Sequence, residues 1–210
     1  MDISYKISAW NRNRKWKIFT TLFRIDENVK ILDIGYQSIE YRDIDNYLEK
    51  HYPYPEKITA LGIEEPTNLM KKYPKIKTIR YDGITFPFEN KEFDIGWSNA
   101  VLEHVGDRNT QIHFLKEINR VCKSFFITTP NKFFPVEIHT KIPLLHFLLP
   151  ERWFDIIIKL IGKSWATGNY MRLCSKKELK KMLAEAGITG YKIIENKLFL
   201  FTIDFVIYKI

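Results

Sequence analysis

The chain has 210 residues, 45% of them hydrophobic, and a formal net charge of +8. That length and apolar content suit one medium domain with a real core and exclude a largely disordered chain. Cys122 and Cys174, the only cysteines, are too few and too far apart for a disulfide framework or a metal knuckle, so both are expected reduced and buried.

The lysines are scattered along the chain, which reads as a solvated surface. Near the N-terminus, Trp10, Arg12, Arg14 and Trp16 mix basic and aromatic side chains as a nucleic-acid surface does. One such stretch is thin support, and nucleic acid is not the expected partner. No uninterrupted apolar run follows these basic residues, so no signal peptide is expected. Val29 to Ile34 is a short apolar run ending in Asp-Ile-Gly, a first strand. Ser38 to His51 carries Ile44, Tyr47, Leu48 and His51 at helical spacing, with Ser38 as a cap. Lys57 to Ile63 is a second strand, Pro66 to Tyr73 a brief helix and Lys75 to Arg80 a third strand.

A fourth strand is expected over Glu92 to Ser98, a helix over Asn109 to Cys122 and a fifth strand over Ser124 to Thr128. Strands alternating with helices in this way imply a parallel sheet with right-handed crossovers. After Pro130 the rhythm breaks, and residues 131–174 read as an inserted lid or acceptor region. Its greasiest part, Ile142 to Ile161, contains Glu151, Arg152, Asp155 and Lys159 and is interrupted by Pro150, so no transmembrane helix is expected. Ser175 and Glu178 predict a capping box and Gly187 a helix stop. Two antiparallel strands, Tyr191 to Glu195 and Phe199 to Tyr208, close the chain. A single domain therefore divides into an N-terminal helical cover (1–28), a binding core (29–130), the insertion (131–174) and a C-terminal helix with a strand pair (175–210).

Ligands of an open parallel sheet bind beyond the carboxyl ends of its strands. Three consecutive strands end here in acids: Asp33, then Glu64 and Glu65, then Asp82. Such grouping is costly unless a cation or a donor-rich ligand sits among them. The motifs ILDIG (Ile31 to Gly35), YDGITFPF (Tyr81 to Phe88), FDIGWSNAVLEHV (Phe93 to Val105) and EINRV (Glu117 to Val121) stand in order along the chain. With TTPNKFFPVEIHTKIPLLHFLLP (Thr128 to Pro150), they resemble class I S-adenosylmethionine-dependent methyltransferases of the broad small-molecule, type 11-like group. The likeness runs over about residues 12–210 and is most specific between Tyr81 and Pro150.

The resemblance implies an α/β, Rossmann-like fold with a seven-stranded, mostly parallel sheet in the order 3-2-1-4-5-7-6 and helices on both faces. S-adenosylmethionine is the implied cofactor. Asp33 and Gly35 would hold its methionine half, Glu64, beside Glu65, both ribose hydroxyls, and Asp82 the adenine amine. An amide of Gly83 or Ile84 would donate to the ring, and Asn99 and Ala100 would line the sulfonium end. Where relatives continue with further glycines, this chain has Tyr36, Gln37 and Ser38. Tyr36 and Gln37 are expected to narrow or reshape the methionine pocket; either the single Gly35 suffices, or the pocket is blocked and catalysis lost.

His104 and His139 are the candidate general bases, each with a purely structural alternative. In some ubiquinone-pathway O-methyltransferases, residues similar to Glu103 and His104 help bind a metal, together with a carboxylate three positions before the glutamate. Ala100 stands there, so no metal is expected. Phe133, Phe134, Leu144, Leu145, Phe147, Leu148, Trp153, Phe154 and Trp165 would form an apolar cover in the insertion, with Arg152 and His146 at its edge, or a second small core. The expected activity is methyl transfer to a small or a lipid- or glycan-linked acceptor, at oxygen. Peripheral membrane contact through residues 144–161 and a cytoplasmic location go with it. The alternatives are a catalytically silent binding domain and, more weakly, an RNA methyltransferase whose RNA affinity would fall steeply with salt.

Overall fold

The computed structural model of the protein describes residues 3–135, 151–160, 162 and 171–210. His139, Leu144, Leu145, His146, Phe147, Leu148 and Trp165 lie outside these, so most of the expected acceptor cover is not among the described residues.

Seven strands form one sheet: β1 (Ile31–Ile34), β2 (Ile58–Gly62), β3 (Lys77–Arg80), β4 (Phe93–Asn99), β5 (Cys122–Pro130), β6 (Lys192–Leu198) and β7 (Phe201–Lys209). Their order is β3-β2-β1-β4-β5-β7-β6, as the resemblance implied. β1 runs parallel to both its neighbours, with Ile31 opposite Ile58 of β2 and Ile95 of β4, and β3 joins β2 in the same sense. β6 and β7 are antiparallel. Every residue of β1 and β2 is buried, as in strands covered on both faces, and all but Asp33 and Thr59 are apolar. β3, at the edge, is protected differently: Lys77 and Arg80 stand exposed at its two ends.

The helices are α1 (Ile3–Leu22), α2 (Tyr47–His51), α3 (Thr67–Lys72), α4 (Arg108–Val121), α5 (Glu151–Leu160) and α6 (Lys176–Glu185). None of the described helices is long and apolar enough to cross a membrane. The chain folds as two compact units. One comprises Met1–Ser98, Glu117–Phe126 and Lys209–Ile210, the other Asn99–Lys116 and Ile127–Tyr208.

The core of the first unit is aromatic. Phe19 of α1 meets Trp97 of β4 edge-on at 4.9 Å between centroids, and Trp97 stacks on Phe126 of β5 at 5.0 Å. Such pairs add about 0.5–1.5 kcal/mol each beyond their buried area, and they fix α1 to β4 and β5. Within the second unit, α6 begins with the expected capping box. The Glu178 amide donates to Ser175 Oγ, and Glu178 Oε2 accepts from the Ser175 amide at 2.8 Å. Gly187, at φ 70°, closes the other end. Both cysteines are free and buried, and burial pushes both thiols upward.

Candidate active site

Beyond β1 the chain does not enter a helix. The helix expected from Ser38 forms only from Tyr47 to His51, because side chains claim the intervening backbone. Asn46, in the left-handed region at φ 45°, accepts from the Gln37 amide at 2.9 Å and donates to the Gln37 carbonyl at 2.8 Å. Asp45 Oδ2 accepts from the amides of Tyr41 and Arg42. Glu40 sits among Lys50, Lys72, Tyr73 and Asn46; burial alone would raise its carboxyl, but hydrogen bonds from these four outweigh that and hold it at about 2. Residues 37–46 are therefore an ordered loop.

Gly35, at φ 100°, makes the turn out of β1 and donates its amide to the Leu61 carbonyl at 2.8 Å. Tyr36 folds under the loop instead of standing out from it. It is buried, its hydroxyl donates to the Glu64 carbonyl at 2.6 Å, and its ring lies on Gly62. A Cβ on residue 62 would come within 2.6 Å of that ring, so Tyr36 and the glycine at the end of β2 depend on each other. Burial, then the nearby Glu64 and Glu65, push the Tyr36 hydroxyl up to about 12, which keeps it a donor.

Glu64 is exposed, and its Oε2 accepts from the Ser38 amide at 2.7 Å. Ser38 also donates its hydroxyl to the Glu65 carbonyl, while the Glu65 carboxylate pairs with Arg80 at 3.2 Å. Around them lies an open cavity of about 370 Å³ lined by Gln37, Ser38, Ile39, Tyr41, Glu64, Glu65, Thr67 and Asn68. Of the residues named from the sequence as cofactor contacts, Glu64 and Glu65 line this cavity; Asp33 and Tyr36 are buried, and Gly35, Asp82, Gly83 and Ile84 are not in its wall.

At the end of β3, the exposed Asp82 accepts the amides of Ile84 (2.8 Å) and Thr85 (3.0 Å) on Oδ1. These bonds hold its carboxyl below the ordinary range. The Ile84 amide is thereby engaged within the turn, and Gly83 takes φ 81° to allow it. The following residues are held by the EINRV motif. Arg120 forks onto Glu117 at 2.8 and 2.7 Å and donates to the carbonyls of Phe86 and Phe88, while Glu117 accepts the Phe86 amide at 2.8 Å.

Asp33, expected to read an ammonium group, is paired with a second acid. It is buried beside Glu49 of α2, which is also buried. Two buried carboxyls side by side repel each other when both are ionised, which favours keeping a proton on the pair. Burial, then the charge and hydrogen bond of Glu49, raise the Asp33 carboxyl well above its usual value, opposed by Arg12; burial raises Glu49 as well. Because both groups bind protons more tightly folded than unfolded, their contribution to stability is present at acid pH. It is lost as pH rises from the ordinary carboxylate range through the raised values. Glu49→Gln, which can still donate to Asp33, is expected to flatten this slope and to be more stable than wild type by at least about 1 kcal/mol at pH 8, read from urea unfolding across pH. A wild-type profile that is flat above pH 4, or parallel to that of the variant, would contradict a proton kept on the pair.

In the second unit, Asn99 ends β4 and accepts from the Thr128 hydroxyl at 2.7 Å. Ala100 follows at φ 59°, its amide donating to the Thr128 carbonyl. Glu103 is fully buried and accepts from the Thr129 hydroxyl at 3.1 Å. His104 is exposed at the end of the 3-10 turn Leu102–His104. Among the described residues no group of three His, Cys, Asp or Glu is placed to hold a metal ion.

Sequence reasoning missed Ser38 as the group that orients Glu64, Asn46 as the clamp on the loop, and Glu49. The Asx residues at 45 and 46 were the available signal for a turn; nothing in the sequence marks a buried acid at 49.

Residues 46–125 match the type 11 family model described as a methyltransferase domain. No curated protein matches the chain in sequence. Among solved structures, the chain is similar to a methyltransferase from Aquifex aeolicus that depends on S-adenosylmethionine (TM-score 0.60, 16% identity, 92% of this chain and 87% of that one covered). It is also similar to one from Methanosarcina mazei (0.56, 17%, 91% and 95%) and one from Thermotoga maritima (0.61, 12%, 97% and 91%). The sheet order and these matches define a class I S-adenosylmethionine-dependent methyltransferase fold. Within that fold, the likeness to the type 11 methyltransferase domain covers residues 46–125.

Proposed function

We propose that the chain binds S-adenosylmethionine at the ends of β1, β2 and β3 and transfers its methyl group to an oxygen of a small or a lipid- or glycan-linked acceptor. One observation carries this reading: Glu64 is exposed, with one carboxylate oxygen steadied by the Ser38 amide. A carboxylate has about four acceptor sites, so a ribose diol can still take two bonds from a group already held in place. The acceptors fit the cofactor, whose ammonium, diol and adenine amine are hydrogen-bond donors: Glu64 follows β2 and Asp82 ends the adjacent β3, while Asp33, buried at β1, would reach the ammonium through water. When bound, the cofactor brings an electrophilic methyl group.

The chain's own part is then to position the acceptor and exclude water. Proton removal falls to His104 or to His139, which lies outside the described residues. Asn99 and Ala100 are the proposed lining of the transfer end.

A second reading, a catalytically silent domain that keeps the fold and binds a ligand or partner other than the cofactor, is favoured by the bonds that Ser38 and Tyr36 already make to Glu64. Calorimetry with S-adenosylhomocysteine separates the two. Micromolar binding supports the methyltransferase, whereas no heat at millimolar ligand supports the silent domain.

A further inference from the structure

We propose that the hairpin tip between β6 and β7 docks the protein on an anionic phospholipid surface. Phe199 and Leu200 form the turn and are each 90% exposed, and Phe201 is 54% exposed. The ladder continues to the pair Leu198 and Phe201, so the tip is a tight two-residue turn and not a loose loop. Phe199 is held at φ 53°, a conformation that costs a bulky residue energy and that here leaves its ring in water.

Phe133, 58% exposed, belongs to the same end of this unit. Asn131, two residues before it, donates its side-chain amide to the Thr202 carbonyl and its backbone amide to the Ile203 carbonyl. Single exposed apolar side chains are ordinary; a run of three on one protrusion with a fourth beside it marks a contact surface. α5 of the same unit adds an independent sign. Trp153, Ile156 and Leu160, at i, i+3 and i+7, are 61%, 48% and 80% exposed, the one-sided pattern of a helix lying in an interface.

Charge selects the occupant. Lys197 lies two residues before Phe199 and Lys159 precedes Leu160, while Lys132, before Phe133, pairs with Glu178 at 3.7 Å. The acids nearby are turned to internal partners: Glu178 to the amide and hydroxyl of Ser175, Glu195 to Lys176 and Thr202. A convex apolar point with a basic rim, on a chain of net charge +8, suits a deformable, negatively charged apolar phase better than the rigid groove of another protein.

The test is sedimentation of the full chain with vesicles of phosphatidylcholine alone or mixed with phosphatidylserine. The wild type is expected to pellet with the mixed vesicles and more weakly with the neutral ones. The double variant Phe199→Ser, Leu200→Ser should lose about a hundredfold in partitioning, since two apolar side chains no longer enter the bilayer. Both side chains lie in water in the free protein, so its thermal unfolding should not change. The proposal is overturned if the wild type stays in the supernatant with both vesicles, or if the variant partitions as the wild type does. It is equally overturned if the wild type binds no vesicles and forms a dimer that the variant dissociates, which would make the tip a protein interface.

Discussion

Arg120→Ala is expected to lower the free energy of unfolding by about 3 kcal/mol, the lower end of the cost of breaking a buried ion pair. The Glu117 side chain is only 8% exposed and would keep its charge without the guanidinium that neutralises it. The carbonyls of Phe86 and Phe88 and the side chain of Asn90 would also lose a donor. The arginine itself is 31% exposed, so water recovers part of the loss, which is why the low end applies. Urea unfolding should show a lower midpoint with an unchanged slope. Arg120→Lys should recover little, because an ammonium cannot fork onto a carboxylate and reach two carbonyls at once. A loss below about 0.5 kcal/mol would mean that the motif behaves as an ordinary surface pair. The clamp also matters for the site, since residues 86–90 follow the Asp82 turn directly.

Glu64→Ala is expected to weaken S-adenosylhomocysteine binding by about a hundredfold while leaving stability nearly unchanged. Two hydrogen bonds from a diol to a charged acceptor are worth about 3 kcal/mol together, which is a factor of about a hundred in affinity. Stability should hold because Glu64 is exposed and the Ser38 amide, once released, can turn to water. Calorimetry and a melting curve on the same preparation give both numbers. Equal affinities for the variant and the wild type would remove Glu64 from the site.

The strand alternation between Val29 and Thr128 was legible from apolar runs alone, because β1 and β2 are buried on both faces and are apolar except at Asp33 and Thr59. The capping box at Ser175 and Glu178 was legible because its two halves lie three residues apart. The sheet order came from the motifs, and the family match over residues 46–125 includes three of them, YDGITFPF, FDIGWSNAVLEHV and EINRV. That match begins where the unusual loop ends. The helix expected from Ser38 failed because periodicity at Ile44, Tyr47 and Leu48 says nothing of what Asn46, Asp45 and Glu40 bond to. Those are contacts with Gln37, Tyr41, Arg42, Lys50, Lys72 and Tyr73, and only the folded chain brings the last two near. The meeting of Asp33 with Glu49 was hidden for the same reason: residues sixteen apart gave no local sign of contact. Tyr36 read as an obstacle because its size was visible and its direction was not. Folded onto Gly62, it belongs to the floor of the loop.

The central claim is that a turn with one glycine, with Tyr36 tucked beneath it and Ser38 steadying Glu64, still forms a cofactor site. Crystals of the protein grown with millimolar S-adenosylhomocysteine test it most directly. The account predicts density for the ligand with its ribose hydroxyls on the Glu64 carboxylate, Tyr36 still lying on Gly62. Crystals soaked in that ligand yet showing only protein and solvent beside Glu64 would contradict it.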